Sequence, residues 1–282
     1  MNLNLETYLS AKKKIIDSKL DKYMPKETEY PQIIHEAIRY SVFSGGKRLR
    51  PILMLAAGEI FSQEERKLLP AACAVELIHN YSLIHDDLPA MDNDEYRRGK
   101  LTSHKKFGED IAVLAGDALL TIAFEILSEE VKDSKLALRV INLISKAIGT
   151  FGMIGGQVVD ISWDKDKAEL PELEFVCTHK TGALIAVSLR IGAILSGAAK
   201  AEEDALYEYG KLIGIAFQIT DDILDEKLDR EKGFNYPAFL GIEESEKRAE
   251  ALINKALVKL DGFGKRADIL RQIAQFIIER EE

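Results

Sequence analysis

Apolar residues along most of this chain recur at spacings of three and four positions, which is the repeat of one helix face. The repeat is clearest in three segments, residues 111–127, 135–151 and 249–260. Strand-type alternation with regular turn signals is not visible, and only seven prolines occur in 282 residues. The pattern predicts an all-α protein of roughly ten or more helices. Because no linker, low-complexity tract or repeat interrupts it, we expect a single domain over residues 1–282.

One segment, residues 182–197, is apolar on nearly every face, which is typical of a helix at the centre of a protein. Arg190 interrupts this run, and the run is too short to span a membrane comfortably. The first residues do not resemble a signal peptide. We therefore expect a cytoplasmic protein without stable membrane insertion.

Composition narrows the class of partner. The chain carries 47 acidic and 38 basic side chains, a net charge of -9. Nucleic-acid binding needs a basic surface, so nucleic acid is excluded as a partner. The two cysteines, Cys73 and Cys177, lie far apart among apolar residues, which indicates buried thiols rather than a disulfide framework.

The stretch from Ser82 to Lys100 concentrates charge beside an apolar segment. Its acids are Asp86, Asp87, Asp92, Asp94 and Glu95, and Arg97 and Arg98 follow them. Pro89 lies between Asp86 and Asp92, and proline ends or kinks a helix by removing an N–H and clashing one turn earlier. We expect Asp92 to return toward the side that carries Asp86. A solvated charged turn and a site for metal plus phosphate both fit this pattern.

A second acidic cluster favours the metal site. Asp221, Asp222 and Asp225 follow an apolar helical segment, and Asp221 and Asp225 share one helix face. Like charges at this spacing repel unless a cation lies between them. Magnesium binds through one or two carboxylates plus phosphate oxygens. One such cluster is usually a solvated face, but two clusters that each close an apolar helix favour a shared metal chemistry.

Basic and polar residues that suit an anion occur elsewhere in the chain. Two glycines precede Lys47, Arg48 and Arg50, which predicts a loop whose backbone can approach an anion closely. A helix start with surface lysine and arginine is the alternative. Three further candidates lie on helix faces near the acids or at the head of an apolar helix: His79, Gln218 and Lys180.

Together these segments resemble the trans-prenyltransferases (short-chain isoprenyl diphosphate synthases), most closely the bacterial-type farnesyl diphosphate synthases. The segments that carry the resemblance are, in order, GGKRLRP, DDLPAMD, RRG, LAGDAL, GGQVVD, HKTGAL and FQITDDILD. The resemblance implies the isoprenoid synthase fold, with long, mostly antiparallel helices around a deep central cavity, and usually a homodimer. It also implies Mg²⁺ ions, about three per active site, held by carboxylates and phosphate oxygens.

The resemblance assigns roles to individual residues. The implied metal ligands or their supports are Asp86, Asp87, Asp92, Asp221, Asp222 and Asp225. The implied contacts to the allylic diphosphate are Arg97, Lys180, Thr181, Gln218 and Lys232. The implied contacts to isopentenyl diphosphate are Lys47, Arg50, His79 and Arg98. The implied catalytic set is Asp86, Asp87, Asp92, Lys180, Asp221 and Asp222, and Asp94 and Glu95 are left without a role.

The implied reaction is ionisation of an allylic diphosphate (dimethylallyl or geranyl), condensation with isopentenyl diphosphate and loss of a proton. Metal ions and cationic side chains stabilise the departing diphosphate, and an apolar cavity protects the cation from water. In the family, an aromatic residue where Tyr81 stands, followed here by Ser82, limits elongation to fifteen carbons. We therefore expect (2E,6E)-farnesyl diphosphate, with geranyl or geranylgeranyl diphosphate as alternatives. A buried core tyrosine is the simpler interpretation of Tyr81.

The sequence departs from the family after Asp225, where the loop is shorter, Asn235 replaces a threonine and Lys232 is the nearest counterpart of the family's lysine. Rival classes are less consistent with the residues. A terpene cyclase should lack the second diphosphate site, and a non-catalytic subunit of a heteromeric synthase usually loses an aspartate motif. A di-iron carboxylate bundle needs two Glu-x-x-His motifs, whereas Glu76–His79 is the only one in the sequence.

Overall fold

The protein is helical throughout almost all of the chain that the structure describes. The computed structural model describes residues 4–62, 64–163, 169–227 and 235–280. Fourteen α-helices, one π-helix, one 3₁₀ helix and one pair of two-residue strands make up its regular structure within these ranges. The predicted all-α class is confirmed.

The chain forms two compact units. The first contains the chain as far as Ile52, together with Arg66–Ile141. Its elements are α1 (Leu5–Tyr23), α2 (Gln32–Val42), the start of α3 (Leu49–Glu59), α4 (Glu65–Asp86), β1 (Tyr96–Arg97), β2 (Lys100–Leu101), α5 (Ser103–Phe107), α6 (Glu109–Glu130) and the first half of α7 (Ser134–Ile148). β1 and β2 pair antiparallel, with Tyr96 opposite Leu101.

The second unit contains Leu53–Glu65 and the chain from Asn142 onward. Its elements are the remainder of α3 and α7, then α8 (Met153–Ser162), α9 (Leu170–Val176), a π-helix (Cys177–Gly182), α10 (Ala183–Leu195), α11 (Lys200–Lys227), α12 (Tyr236–Leu240), α13 (Ile242–Val258), a 3₁₀ helix (Asp261–Ala267) and α14 (Asp268–Glu279). Each unit combines separate stretches of the chain, and the single domain over residues 1–282 stays a prediction.

Helix α4 is the central helix of the first unit. Residues 71–78 are buried without interruption, so this part of the helix has no solvent-facing side. The helix ends at Asp86, three residues before Pro89, as the proline predicts. The acids of the first cluster therefore begin where a buried helix reaches the surface of its unit.

Helix α10 has the corresponding place in the second unit, as its all-round apolarity predicts. Residues 184–189 are all buried. Gly192 and Gly210 allow other backbones to approach it. A Cβ at Gly192 would lie 2.3 Å from the Met54 carbonyl oxygen, and one at Gly210 would lie 2.6 Å from the Ala186 Cα. α10 is thus held between α3 and α11 in direct backbone contact.

The predicted helix boundaries are close to those observed, with one clear difference. The apolar repeat of residues 135–151 extends three residues beyond the end of α7 at Ile148. Glycines at positions 149 and 152 interrupt the helix, and Gly152 has non-helical φ and ψ of -133° and -130°. Glycine has a high conformational cost in a helix, so the break follows from residue type rather than from polarity.

Two segments are long and apolar enough to cross a membrane by length and composition alone. They are Glu109–Glu130, with mean hydropathy 1.9, and Ser134–Ser162, with mean hydropathy 1.3. Buried core helices pass the same criterion, so the expected absence of membrane insertion stays a prediction. Part of their apolar surface is exposed on helix faces: Val113 and Leu114 in α6, and Ile154, Val158 and Ile161 in α8.

Candidate active site

The backbone after α4 folds back on itself, as Pro89 predicts. The Asp92 N–H donates to the Asp86 carbonyl at 2.9 Å, and the Asn93 N–H donates to the Leu88 carbonyl at 3.1 Å. Asn93 has a positive φ of 55°, which asparagine tolerates better than most residues. The turn places Asp86 and Asp92, six residues apart in sequence, at one end of the helix.

Asp87 points inward from this turn and holds Arg97. Its carboxylate is buried and accepts the Arg97 Nε–H at 2.6 Å. Burial raises the pKa of Asp87, and the adjacent guanidinium opposes that rise. The Asp94 carboxylate accepts a second hydrogen bond from Arg97 at 3.2 Å. Asp94, which the sequence left without a role, therefore helps to orient Arg97, whereas exposed Glu95 pairs with Lys105 at 2.7 Å.

Arg98 lies across the glycine-rich loop. Its Nη1 donates to the Gly45 carbonyl at 2.7 Å. Gly45 and Gly46 have φ values of 124° and 111°, and a Cβ at Gly46 would lie 2.8 Å from that Nη1. Glycine is therefore required here by both backbone conformation and close approach. Lys47, another residue of the expected isopentenyl diphosphate group, directly follows these glycines and is exposed.

Arg48 was not among the expected ligands and proves to be the buried anchor of this loop. Its Nε donates to the Asp17 carboxylate at 2.8 Å, its Nη1 to the Glu76 carboxylate at 2.8 Å and its Nη2 to the Val42 carbonyl at 2.6 Å. Asn80 Nδ2 donates to Glu76 at 3.3 Å. Arg48 therefore fixes the loop from inside the protein, which separates it from the residues expected to contact isopentenyl diphosphate.

His79 lies among positive charges. Burial lowers its pKa well below 6.5, and Arg50 and Arg98 lower it further, with smaller contributions from Arg48 and Arg97. The imidazole is therefore neutral at neutral pH, and Arg50 and Arg98 are the charged groups that act on it most strongly. Cationic side chains gathered in this way favour an anionic ligand.

Tyr81 and Ser82, the expected chain-length residues, lie one turn below the aspartates. Tyr81 is buried, with its ring edge-on to His85 at 5.7 Å between centroids. Burial and the Asp86 carboxylate raise the pKa of the Tyr81 phenol to about 12. Ser82 Oγ donates to the His79 carbonyl at 2.9 Å, so its hydroxyl is engaged within the helix.

His85 locks this end of α4 onto α6. Its Nε2 lies 3.1 Å from the Val113 carbonyl oxygen. A Cβ at Gly116 would lie 2.1 Å from the same nitrogen. Gly116, the glycine of the LAGDAL segment, therefore leaves the space that the ring of His85 occupies. His85 is the residue directly before Asp86. This contact explains why the LAGDAL segment accompanies the first aspartate motif.

In the second unit, Asp222 is the inward member of the acidic cluster. Its carboxylate accepts from Gln218 Nε2 at 2.9 Å and from the Tyr236 N–H at 3.1 Å. Burial raises its pKa to about 6, and the carboxylates of Asp221 and Asp225 contribute to the rise while the two hydrogen bonds oppose it. In both motifs the second aspartate is thus engaged inside the protein, which corresponds to the supporting role; ligation by Asp87 and Asp222 stays a prediction.

Asp221 has a cationic partner near the end of the described chain. Arg280 donates to the Asp221 carboxylate, and it also donates to the Phe217 carbonyl at 3.1 Å. The Arg280 side chain is only 5% exposed and lies 4.2 Å from the centre of the Phe217 ring. Arg280 thus compensates part of the charge of the acidic cluster. Lys232, the expected counterpart of the family's loop lysine, lies outside the described residues.

Lys180 and Thr181 are presented by the π-helix, a geometry that often marks functional sites. Lys180 Nζ donates to the Asp160 carboxylate at 2.6 Å, and Thr181 Oγ1 donates to Gln218 Oε1 at 3.0 Å. Asp160, from the GGQVVD segment, was not among the expected residues. These contacts join Thr181 and Gln218 in one network with Asp222, and Lys180, the residue before Thr181, pairs with Asp160.

The carboxylates suit magnesium of the kind that binds together with a phosphate ligand. Asp86 and Asp92 lie at one end of α4, and Asp221 and Asp225 are one turn apart on α11. Within the described part of the chain, no group of three or more His, Cys, Asp or Glu forms a ready metal cage. Mg²⁺ commonly uses only one or two carboxylates and completes its shell with water and phosphate oxygens, so the residues present fit it.

Comparison with known proteins gives a consistent result. The polyprenyl synthetase family model matches residues 31–252. The chain is 45% identical to a geranylgeranyl diphosphate synthase of Cyanophora paradoxa, over 99% of this chain and 97% of that protein. It is 44% identical to the large subunit 1 of a heterodimeric geranylgeranyl pyrophosphate synthase of Arabidopsis thaliana, over 98% and 79%. An FPP/GFPP synthase structure from Zymomonas mobilis is 40% identical, with a TM-score of 0.90 and coverage of 99% and 100%.

The Arg48–Glu76 contact predicts a large stability effect. Replacing Arg48 with Met should lower the free energy of unfolding by about 3–5 kcal/mol, because Glu76 would remain buried without its cation. Urea unfolding measures the change. The double variant Arg48→Met with Glu76→Leu should recover most of the loss, since a buried ion pair can be replaced by apolar residues. A single variant as stable as the parent protein would contradict the anchoring role.

The environment of His79 predicts an acid-sensitive stability. Its folded-state pKa lies below 6.5, so below that pH the unfolded chain binds a proton that the folded protein does not. The free energy of unfolding should therefore fall as pH drops below 6.5, by up to ~1.4 kcal/mol per pH unit from this group. His79→Gln should flatten that slope, and His35→Gln, outside the arginine group, should not. Equal slopes for all three proteins would disprove it.

Proposed function

Because this chain belongs to the polyprenyl synthetase family and is a prenyl diphosphate synthase, we propose that it joins isopentenyl diphosphate to an allylic diphosphate in a magnesium-dependent reaction. Its helical structure is the isoprenoid synthase fold of its structural neighbours. The proposal extends the family assignment to substrates, to metal dependence and to the roles of individual residues.

The observation that carries the proposal is the group of arginines around neutral His79, which lies on the same helix as the first aspartates. A metal-free diphosphate needs cationic side chains, whereas a metal-bound one needs carboxylates. Arg50, Arg98 and Lys47 suit isopentenyl diphosphate, and the turn from Asp86 to Asp92 suits the metal-bound allylic diphosphate. Two anion sites of different chemistry are what a condensation of two diphosphates requires.

In the proposed reaction the carbon–oxygen bond of the allylic substrate breaks, and diphosphate leaves with the electron pair. Arg97 and Lys180 hold the departing group, and Thr181 and Gln218 orient it. The double bond of isopentenyl diphosphate supplies the electrons of the new carbon–carbon bond, and the released diphosphate accepts the proton that is lost. Bound Mg²⁺ would neutralise charge that builds on the leaving group. Fixing both substrates with their reacting carbons aligned supplies the proximity contribution.

The product length has two candidates, each with its own support. We place geranylgeranyl diphosphate first, because the curated relatives from Cyanophora and Arabidopsis bear that name. Farnesyl diphosphate is the second candidate, because buried Tyr81 lies one turn below Asp86 and suits a floor that ends elongation. The farnesyl product predicted from sequence is therefore less well supported than its alternative.

We also propose that the protein acts as a homodimer in the cytoplasm. The support is the pair of exposed apolar helix faces, Val113 and Leu114 on α6 and Ile154, Val158 and Ile161 on α8. Exposed apolar surface of this kind is typical of an interface. A non-catalytic role in a heteromer is disfavoured, because both aspartate motifs are complete. Sedimentation equilibrium at micromolar concentration tests the dimer, and a monomer would reject it.

Turnover with defined substrates tests the proposed function. The protein is incubated with isopentenyl diphosphate and labelled dimethylallyl, geranyl or farnesyl diphosphate, with Mg²⁺ and with excess chelator. We expect five-carbon extension with Mg²⁺ and loss of turnover with chelator. Absence of transfer with every allylic substrate, or transfer that does not depend on metal, would refute the proposal.

Tyr81→Ala tests what ends elongation. If Tyr81 is the floor, the parent protein should make mainly farnesyl diphosphate, and the variant should add at least one further five-carbon unit because the smaller side chain opens space below Asp86. Chromatography of dephosphorylated products measures the lengths. Tyr207→Ala, which removes a tyrosine beside Arg190 instead, should leave the distribution unchanged. Geranylgeranyl diphosphate as the parent product would favour the first candidate and remove Tyr81 as a fifteen-carbon limit.

A further inference from the structure

Two glutamines lie near the π-helix, and their amides differ in one respect. Gln218 is satisfied at both ends, because its Oε1 accepts from Thr181 at 3.0 Å and its Nε2 donates to Asp222 at 2.9 Å. Gln157 has neither contact. Its Nε2 and Oε1 are both buried and have no hydrogen-bond partner within the residues that the structure describes.

Gln157 lies at the border between two faces of α8. Exposed Ile154 and Ile161, three residues before it and four after it, belong to one face, and Gly156 and Asp160 belong to the face turned toward the π-helix. Asp160, three residues after Gln157, holds the Lys180 ammonium group at 2.6 Å.

Gly156, the residue before Gln157, is in direct contact with the π-helix. A Cβ at that glycine would lie 2.4 Å from the Lys180 backbone nitrogen. The backbone of α8 is thus pressed against the residue that the proposed function assigns to the allylic diphosphate. Gly156, directly before Gln157, and Asp160, three residues after it, both contact Lys180. Gln157 is therefore part of the segment of α8 that packs against the π-helix.

An amide buried with no partner is unfavourable in the ligand-free protein, because its donors and acceptor have lost water and gained nothing. Folded proteins usually avoid this state, and a leucine or methionine at this position would remove the cost. The neighbouring polar groups have internal contacts: Lys180 with Asp160, and Thr181 with Gln218. The donors of Gln157 are the ones left for a ligand.

We propose that Gln157 is a further ligand of the allylic substrate, and that its Nε2–H group donates to the diphosphate that Lys180 binds. This assignment rests on the proposed function. Gln157 is a neutral donor, so it can donate to the diphosphate without adding a charge beside the Lys180–Asp160 ion pair. Glutamate, with the same shape, would offer a carboxylate that repels diphosphate instead of donors.

Equilibrium binding separates this role from a structural one. Calorimetry with Mg²⁺ measures the affinity for geranyl S-thiolodiphosphate, an allylic analogue that resists ionisation. Gln157→Met should weaken binding about 10- to 100-fold, the range for a hydrogen bond to a charged group, and Gln157→Glu at least as much. The KM for isopentenyl diphosphate should stay within about twofold, because that substrate is assigned to other residues.

Thermal unfolding of the ligand-free protein supplies the second readout. Gln157→Met should leave Tm unchanged or raise it, because no internal hydrogen bond is lost. Gln218→Met, which removes two such bonds, should lower Tm, and Gln275→Met on exposed α14 surface should change neither Tm nor binding.

Three outcomes are decisive. Unchanged analogue affinity in Gln157→Met would overturn the assignment while the proposed function stands. A lower Tm together with equal weakening of both substrates would show a structural role and overturn it as well. If the parent protein itself fails to bind the analogue, the proposed function fails, and the assignment fails with it.

Discussion

Charge that must be kept beside an apolar core is the constraint on which this structure depends. Both acidic clusters lie near the C-terminal end of a helix, and water alone cannot solvate groups that point back toward the core. Asp87 is satisfied by Arg97 and Asp222 by Gln218 and the Tyr236 N–H. In each motif the second aspartate is therefore a support for its surroundings. The first aspartate is a proposed metal ligand, and in the second motif Arg280 balances part of its charge.

The sequence predicts the helices and the position of the acids well, because both depend on local rules. Pro89 is sufficient to end α4 and return Asp92 to Asp86, whatever the rest of the chain does. Asp160 and Arg48 could not be assigned, because their partners are distant in sequence. Lys180 is 20 residues from Asp160, and Glu76 is 28 residues from Arg48. Such pairs depend on tertiary packing, which the spacing of apolar residues along the chain does not reveal.

The positions of the motif glycines are visible in the sequence, but the reason for them is visible only in the structure. The motif GGKRLRP suggested close approach to an anion, and Gly46 instead accommodates the guanidinium group of Arg98. Gly116 similarly receives His85. The missing side chain makes room for Arg98, a proposed substrate contact, in the first case and for His85, directly before Asp86, in the second. The role of the glycine is thus one step removed from the ligand, and residue type alone does not distinguish these cases.

Neutral polar groups have a distinct place in a site of this kind. Most of its charged side chains meet opposite charges within the protein, for example Arg97 with Asp87 and Lys180 with Asp160. His79 and Gln157 carry no charge, the first because burial and the surrounding arginines disfavour its protonation and the second by nature. An arriving diphosphate would raise the pKa of His79, since an anion favours the protonated imidazole. Because His79 is neutral, the protein need not hold a further positive charge in a partly buried place before the diphosphate binds.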